Sequence, residues 1–171
     1  VITASSDHSG SATARSTGGG VISAKIAETT SQLHYSTKAE IGDNATITAG
    51  DALAIRTVTR STGKSDSETY SVGIGAGADS DNTNDDRGVD IDALTLVDVQ
   101  TGSQLSASSV DIDARVAMID GNARAKTTSY SPIFFGVATA FSNADVYLDS
   151  DATVTVSGST TRITGTRGVD L

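Results

Sequence analysis

The chain repeats itself. Three segments share an apolar start, a turn of Asp, Asn or Gly, and a strand alternating small and apolar residues: IGDNATITAGDALAIRT from Ile41, VQTGSQLSASSVDIDAR from Val99, and LDSDATVTVSGSTTRIT from Leu148. The starts lie 58 and 49 residues apart. A second alternating strand follows each, carrying Leu53 and Ile55, then Val110 and Ile112, then Ile163. The stretches between echo one another too. ARSTG from Ala14 matches TRSTG from Thr59, GSATARST from Gly10 resembles GNARAKTT from Gly121, and GGGVISAKIA, SVGIGAGA and FFGVATAF follow as small-residue strands. Repetition at such a period is the signature of stacked units whose insertions fall in outward loops.

Val, Ile and Leu recur at period two along almost the whole length, which argues for half-buried strands rather than disorder. No window sustains a period of 3.6, and Thr, Val, Ser and Gly are poor helix formers. The expectation is an all-β chain with tight turns at Gly, Asn, Asp and Ser. Two architectures fit. A β-sandwich would carry larger core anchors and turns between antiparallel strands. A parallel β-helix, or β-solenoid, would stack like residues on like at about 4.8 Å. Aromatic residues are only 4% and Trp is absent, which suits a narrow interior. The solenoid is therefore preferred, as one segment over residues 1–171 built from about three imperfect repeats of 49–58 residues. Each unit is read as two rungs or slightly more.

The AxITA, LxIxA and AxA strands joined by Gly, Ser, Asn and Asp turns resemble the repetitive shaft of giant bacterial surface and secreted proteins, the filamentous haemagglutinin-like adhesins. The resemblance covers essentially the whole chain and rests on style, without an invariant motif. It implies a right-handed parallel β-helix that is exported and holds binding regions away from the cell. Its implied partners are flanking repeats of a longer parent chain and host-surface or matrix glycans and proteins, its implied location is extracellular or at the bacterial surface, and it carries no catalytic residues to transfer.

Charge and composition narrow the partners. The formal net charge is -9, which disfavours a phosphate backbone, so no nucleic acid is expected. No segment approaches the roughly 20 apolar residues of a membrane span, so no membrane insertion is expected. Zero Cys excludes disulfides, thiolate metal sites and Cys nucleophiles. The chain opens and closes inside strand-like patterns and is read as a piece of something longer.

Several groups of residues carry chemistry. Asp79, Asp81, Asp85 and Asp86 crowd the stretch DSDNTNDDR. Hard oxygen ligands at that density suit Ca²⁺, although the spacing fails as an EF-hand and a solvated acidic loop explains it more simply. The strands VDIDA, from Val89 and again from Val110, put Asp90 with Asp92 and Asp111 with Asp113 outward. If those strands were neighbours, like charges would stack. Thr46 with Thr48, Thr57 with Thr59, and Thr153 with Thr155 are expected to face outward around Ile or Val, for which the β-propensity of Thr is sufficient reason. His8 and His34 belong to no recognisable triad. Tyr130, Phe134 and Phe135 lie in YSPIFFGVATAF and form a candidate contact patch, since adjacent Phe side chains cannot both face inward on a regular strand. The expected job is structural and adhesive rather than enzymatic. The alternatives are a carbohydrate-binding or carbohydrate-cleaving β-helix and an extracellular filament or sheath subunit.

Overall fold

The computed structural model describes residues 1–82, 88–132 and 136–171; the side chains of Asp81 and Asn82 fall outside the description. Nine strands and no helix make up the described residues: β1 (Ile2–Glu28), β2 (Ser31–Ile41), β3 (Thr46–Thr48), β4 (Ala52–Asn82), β5 (Val89–Val99), β6 (Gln104–Tyr130), β7 (Val137–Ala144), β8 (Val146–Val156) and β9 (Arg162–Asp170). Every strand pairing among them is parallel. One sheet runs β1-β4-β6-β3, with β7 added on β4 and β9 on β6; the other runs β2-β5-β8. The chain is thus all-β with parallel sheets, consistent with a parallel β-helix, and no antiparallel pairing of the kind expected of the alternative sandwich occurs among the described residues.

The register tests the repeat residue by residue. Ile41 pairs with Val99, 58 residues on, Leu53 with Val110 and Ile55 with Ile112, as the sequence alignment places them. Gly10 lies beside Gly63 and Gly63 beside Gly121, which accounts for the echo between Gly10 and Gly121. Two alignments need correcting. Val99 pairs with Val156, whereas Leu148 pairs with Ile91, so the short third spacing comes from matching the wrong alternating strand. Ala14 pairs with Ser67 rather than Thr59, and the ARSTG echo is coincidental. Residues one unit apart are direct hydrogen-bonded neighbours, which also overturns the expectation of two rungs per unit.

Long strands here are bent, not straight. Thr69 donates to the carbonyl of Asp79 at 2.7 Å, and Ser80 donates to the Thr69 hydroxyl at 2.8 Å. Residues ten and eleven apart on one strand can meet only if β4 doubles back between them. β5 faces the first half of β4 across the interior, where Thr57 donates to the Leu96 carbonyl at 3.1 Å. Beyond β5 the chain turns through Thr101–Ser103. Gly102 takes φ 78°, and Asn44, its counterpart one layer earlier, takes φ 58°, a left-handed conformation open mainly to Gly and Asn.

Two chemistries fill the space between the walls. Near the turns, Ile55, Val97, Val99, Leu105, Val110 and Ile112 are fully buried and pack as one cluster. At about 1.5–3 kcal/mol for each side chain taken from water, this end supplies most of the apolar stabilisation. Toward the bend the interior becomes hydroxylic: Thr57, Thr59, Ser61, Ser65, Ser67, Thr69, Ser71 and Ser80 are all buried. Thr57 and Thr59 therefore point inward, contrary to the sequence expectation, with Val58 on the outer side. Most of these hydroxyls find partners on the opposite wall: Ser65 donates to the Thr29 carbonyl at 3.0 Å, Ser71 to that of Ser23 at 3.1 Å, and Thr95 to the Thr59 hydroxyl at 2.9 Å, whereas Ser67 Oγ has no partner among the described residues. A buried hydroxyl that is hydrogen-bonded carries no desolvation penalty of the size an orphan would.

Candidate functional site

Parallel register puts like positions of successive layers side by side on the outer face, so charges must be compatible layer to layer. Two arrangements do this. Lys126 contacts Glu68 at 2.8 Å and Arg15 contacts it at 3.7 Å from the other side, forming a column of cation, anion and cation. The Lys126 hydrogen bond and charge, with Arg15 adding, hold the Glu68 carboxyl below its ordinary value of 4.5. On the other sheet Glu40 lies beside Asp98, and Lys38 bridges them at 2.7 and 2.8 Å. Its ammonium is raised above the ordinary lysine value, first by the hydrogen bond to Asp98 and then by that to Glu40.

The two VDIDA strands do not meet. Val89 to Ala93 lie on β5 and Val110 to Ala114 on β6, in different sheets. Val89, Ile91, Val110 and Ile112 are buried as expected, which turns the acids outward. Asp111 is paired with Arg56 and Asp113 lies 3.7 Å from Arg115, while Asp90 Oδ2 lies 3.1 Å from His34 Nε2. Asp92 instead has Asp149 as its neighbour on β8, with the Tyr147 hydroxyl 3.3 Å from Asp149. His8 stacks on Tyr35 with ring centroids 3.9 Å apart, and the Tyr35 hydroxyl donates to Ser61 at 2.6 Å. His8 and His34 share no site.

Of the candidate Ca²⁺ residues, Asp85 and Asp86 lie outside the described residues, as does the side chain of Asp81. Asp79 is on β4, and no cluster of acids or histidines able to hold a metal occurs among the described residues. Of the candidate contact patch, Phe134 and Phe135 lie outside the described residues. Tyr130 ends β6 beside Val72 and is exposed.

A second apolar surface escaped the sequence reading. On the outer face past the bend, Ile22, Ala24 and Ile26 of β1 lie beside Gly75, Gly77 and Asp79 of β4, which lie beside Val137, Thr139 and Phe141 of β7. Large side chains on the outer strands and glycines on the middle one leave a trough, whose volume is about 210 Å³ at the end lined by Ala24, Ile26, Gly77, Asp79, Thr139 and Phe141. Ile22, Ile26, Val137 and Phe141 are 62–86% exposed, well beyond what an isolated surface residue would suggest, because they are contiguous. The signal in the sequence was the small-residue strands GGGVISAKIA, SVGIGAGA and FFGVATAF; only the register shows that glycines are flanked on both sides by larger residues.

No protein-family model, curated protein or solved structure matches this chain.

Proposed function

We propose that this chain is a β-solenoid segment of a secreted or cell-surface repetitive protein, a shaft that also presents binding surface, of the kind the filamentous haemagglutinin-like resemblance implies. The observation that carries this is the continuity of columns. Ile2, Ile55 and Ile112 form one, Ala39, Val97 and Val154 another, and Ile47, Leu105 and Ile163 a third. Like residues sit on like through three layers, so each layer serves as a template for the next, and flanking repeats would extend the same columns. A shaft needs a rigid, repeated cross-section and no catalytic group, and several outer charges pair from layer to layer, as Arg15, Glu68 and Lys126 do and as Lys38 does with Asp98.

The test is to join copies in tandem and measure particle length by small-angle scattering or electron microscopy. Rods of constant cross-section that lengthen by roughly 14 Å per copy, three layers at about 4.8 Å, are the expected result. Separate beads would overturn the solenoid reading. For the location, surface labelling of intact source cells should mark the protein, and confinement to the cytosolic fraction would remove the surface role.

One observation favours a glycan-directed reading as the second choice. Asp92 and Asp149 are adjacent outward carboxylates with Tyr147 beside them, an arrangement suited to sugar hydroxyls. Glycan-array binding that is lost in Asp149→Asn would promote it over a plain shaft, and the absence of binding would dismiss it.

A further inference from the structure

The trough over β1, β4 and β7 has a property that sets its glycines apart from those inside the other strands. A Cβ added at Gly63 would lie 2.7 Å from Val89 Cγ1, and one at Gly121 would lie 2.6 Å from Val146 Cγ1. Packing forbids side chains there. At Gly75 the nearest atom would be Ile22 Cγ1 at 3.9 Å, and at Gly77 it would be Thr139 Oγ1 at 3.7 Å, both ordinary contact distances. Neither glycine has positive φ. Glycine inside a strand costs stability through chain entropy and lost side-chain packing. Nothing in the fold requires it at these two positions, yet it is what keeps the trough open.

The trough also ends in a charge. Asp79 lies between Ile26 and Phe141 on the outer face. No cation among the described residues pairs with its carboxylate; Lys25 also lines the trough, but its ammonium is turned toward Gly18. The walls stand roughly 10 Å apart, two strand spacings, and the floor from Gly75 to Asp79 runs about 13 Å. We propose that this trough is a docking site for a lysine or arginine side chain, flanked by apolar residues, of a partner polypeptide. The aliphatic stem lies along the glycine floor between Ile22, Ile26, Val137 and Phe141. Long basic side chains bury their methylenes this way while keeping the charged head free to pair. The head reaches Asp79, with the face of Phe141 next to it as a cation–π partner.

Charge selects this occupant over two others. A second copy would bring Asp79 toward Asp79 and press together two chains of formal charge -9, and an anionic lipid surface would be repelled in the same way. A basic segment is attracted by both the local and the net charge. The site stands on three parallel strands held by two pairings and does not depend on the shaft reading, so either can fail without the other.

The experiment is an amide NMR titration of the whole chain with N-acetyl-Leu-Lys-Leu-amide, beside peptides carrying norleucine or glutamate in the centre. The lysine peptide should shift the amides of Gly75, Gly77 and Asp79, and the glutamate peptide should not. Gly77→Val fills the trough and should weaken the lysine peptide by about tenfold or more, while Asp79→Asn should weaken it without changing the norleucine peptide. Phe141→Ser, on the outermost strand, is the second variant and should act in the same direction. No localised shift at millimolar peptide would overturn the proposal, as would equal binding of the glutamate peptide or no effect of Gly77→Val. Shifts of the same amides with protein concentration alone, together with a dimer in sedimentation, would assign the trough to a second copy instead.

Discussion

At the level of single residues, the hydroxyl interior is the feature with the largest mechanical consequence. Thr95 donates to Thr59 at 2.9 Å, both fully buried, and Ser6 and Thr37 join the same cluster from the first layer. Thr59→Val keeps the shape but leaves Thr95 without its acceptor, so urea unfolding should show a loss of about 1–3 kcal/mol, the usual penalty for stranding a buried polar group. Thr59→Val combined with Thr95→Val should lose less than the sum of the two single changes, because the stranded partner is gone. Strict additivity would show that the two hydroxyls do not depend on each other. The outer face gives a second test. Folding lowers the Glu68 carboxyl, chiefly through Lys126. A group lowered on folding stabilises the folded state above its unfolded value, and that contribution disappears as pH falls through the folded value. The Glu68 carboxyl carbon should therefore titrate below 4.5, with its midpoint moving up in Lys126→Met; an unmoved midpoint would remove Lys126 as the cause. Salt should reduce the difference, since all three side chains of the column are well exposed.

At the level of strands, glycine position decides what each element tolerates. Gly10, Gly63 and Gly121 form a column against Leu33, Ile91 and Leu148 of the opposing wall. Gly63→Ala should destabilise by about 1–3 kcal/mol through overpacking against Val89 and Ile91, whereas Gly77→Ala, in open space, should be neutral or stabilising by up to about 1 kcal/mol. Thermal or urea unfolding of the pair checks the contrast, and equal costs would mean that the interior can relax around Gly63. The same column shows how far the sequence is legible. Period-two alternation and the Gly10 to Gly121 echo reveal strands and a parallel stack, because both follow from local chemistry that each layer repeats. The inward turn of Thr57 and Thr59 is not legible, since Thr suits either face and only the opposing wall decides, through the Leu96 carbonyl for Thr57 and the Thr95 hydroxyl for Thr59. Nor is the trough, because it exists between Ile26, Asp79 and Phe141, residues 53 and 62 apart that only the register brings together. Asp79, the one acid of the run from Asp79 to Asp86 whose side chain is described, has Ile26 and Phe141 as its strand neighbours.

For the whole molecule, stability should be graded by layer. β4 and β5 are paired on both sides, β4 by β1 and by β6 and β7, β5 by β2 and β8. Among the described residues β2 and β8 each have one partner strand, and the strands of the last layer are exposed along much of their length, with every residue of β7 on the surface. The columns make the same point: Ile91 is fully buried between Leu33 and Leu148, while Leu148 is 42% exposed although it holds the equivalent position. In a stack where each layer touches only its neighbours, free energy is a sum of layer and interface terms, and a terminal layer lacks one interface. Local opening then costs least at the two ends and most in the middle. Native-state hydrogen exchange should find amides of Val89–Val99 the most protected, with Ser31–Ile41 and Val146–Val156 exchanging faster by at least an order of magnitude. Joining a second copy in tandem should raise protection of Val146–Val156 toward that of β5, because it supplies the missing interface. Uniform protection across β2, β5 and β8 would mean that the walls open as one cooperative unit, and layer-by-layer templating would then be the wrong description of what holds the chain together.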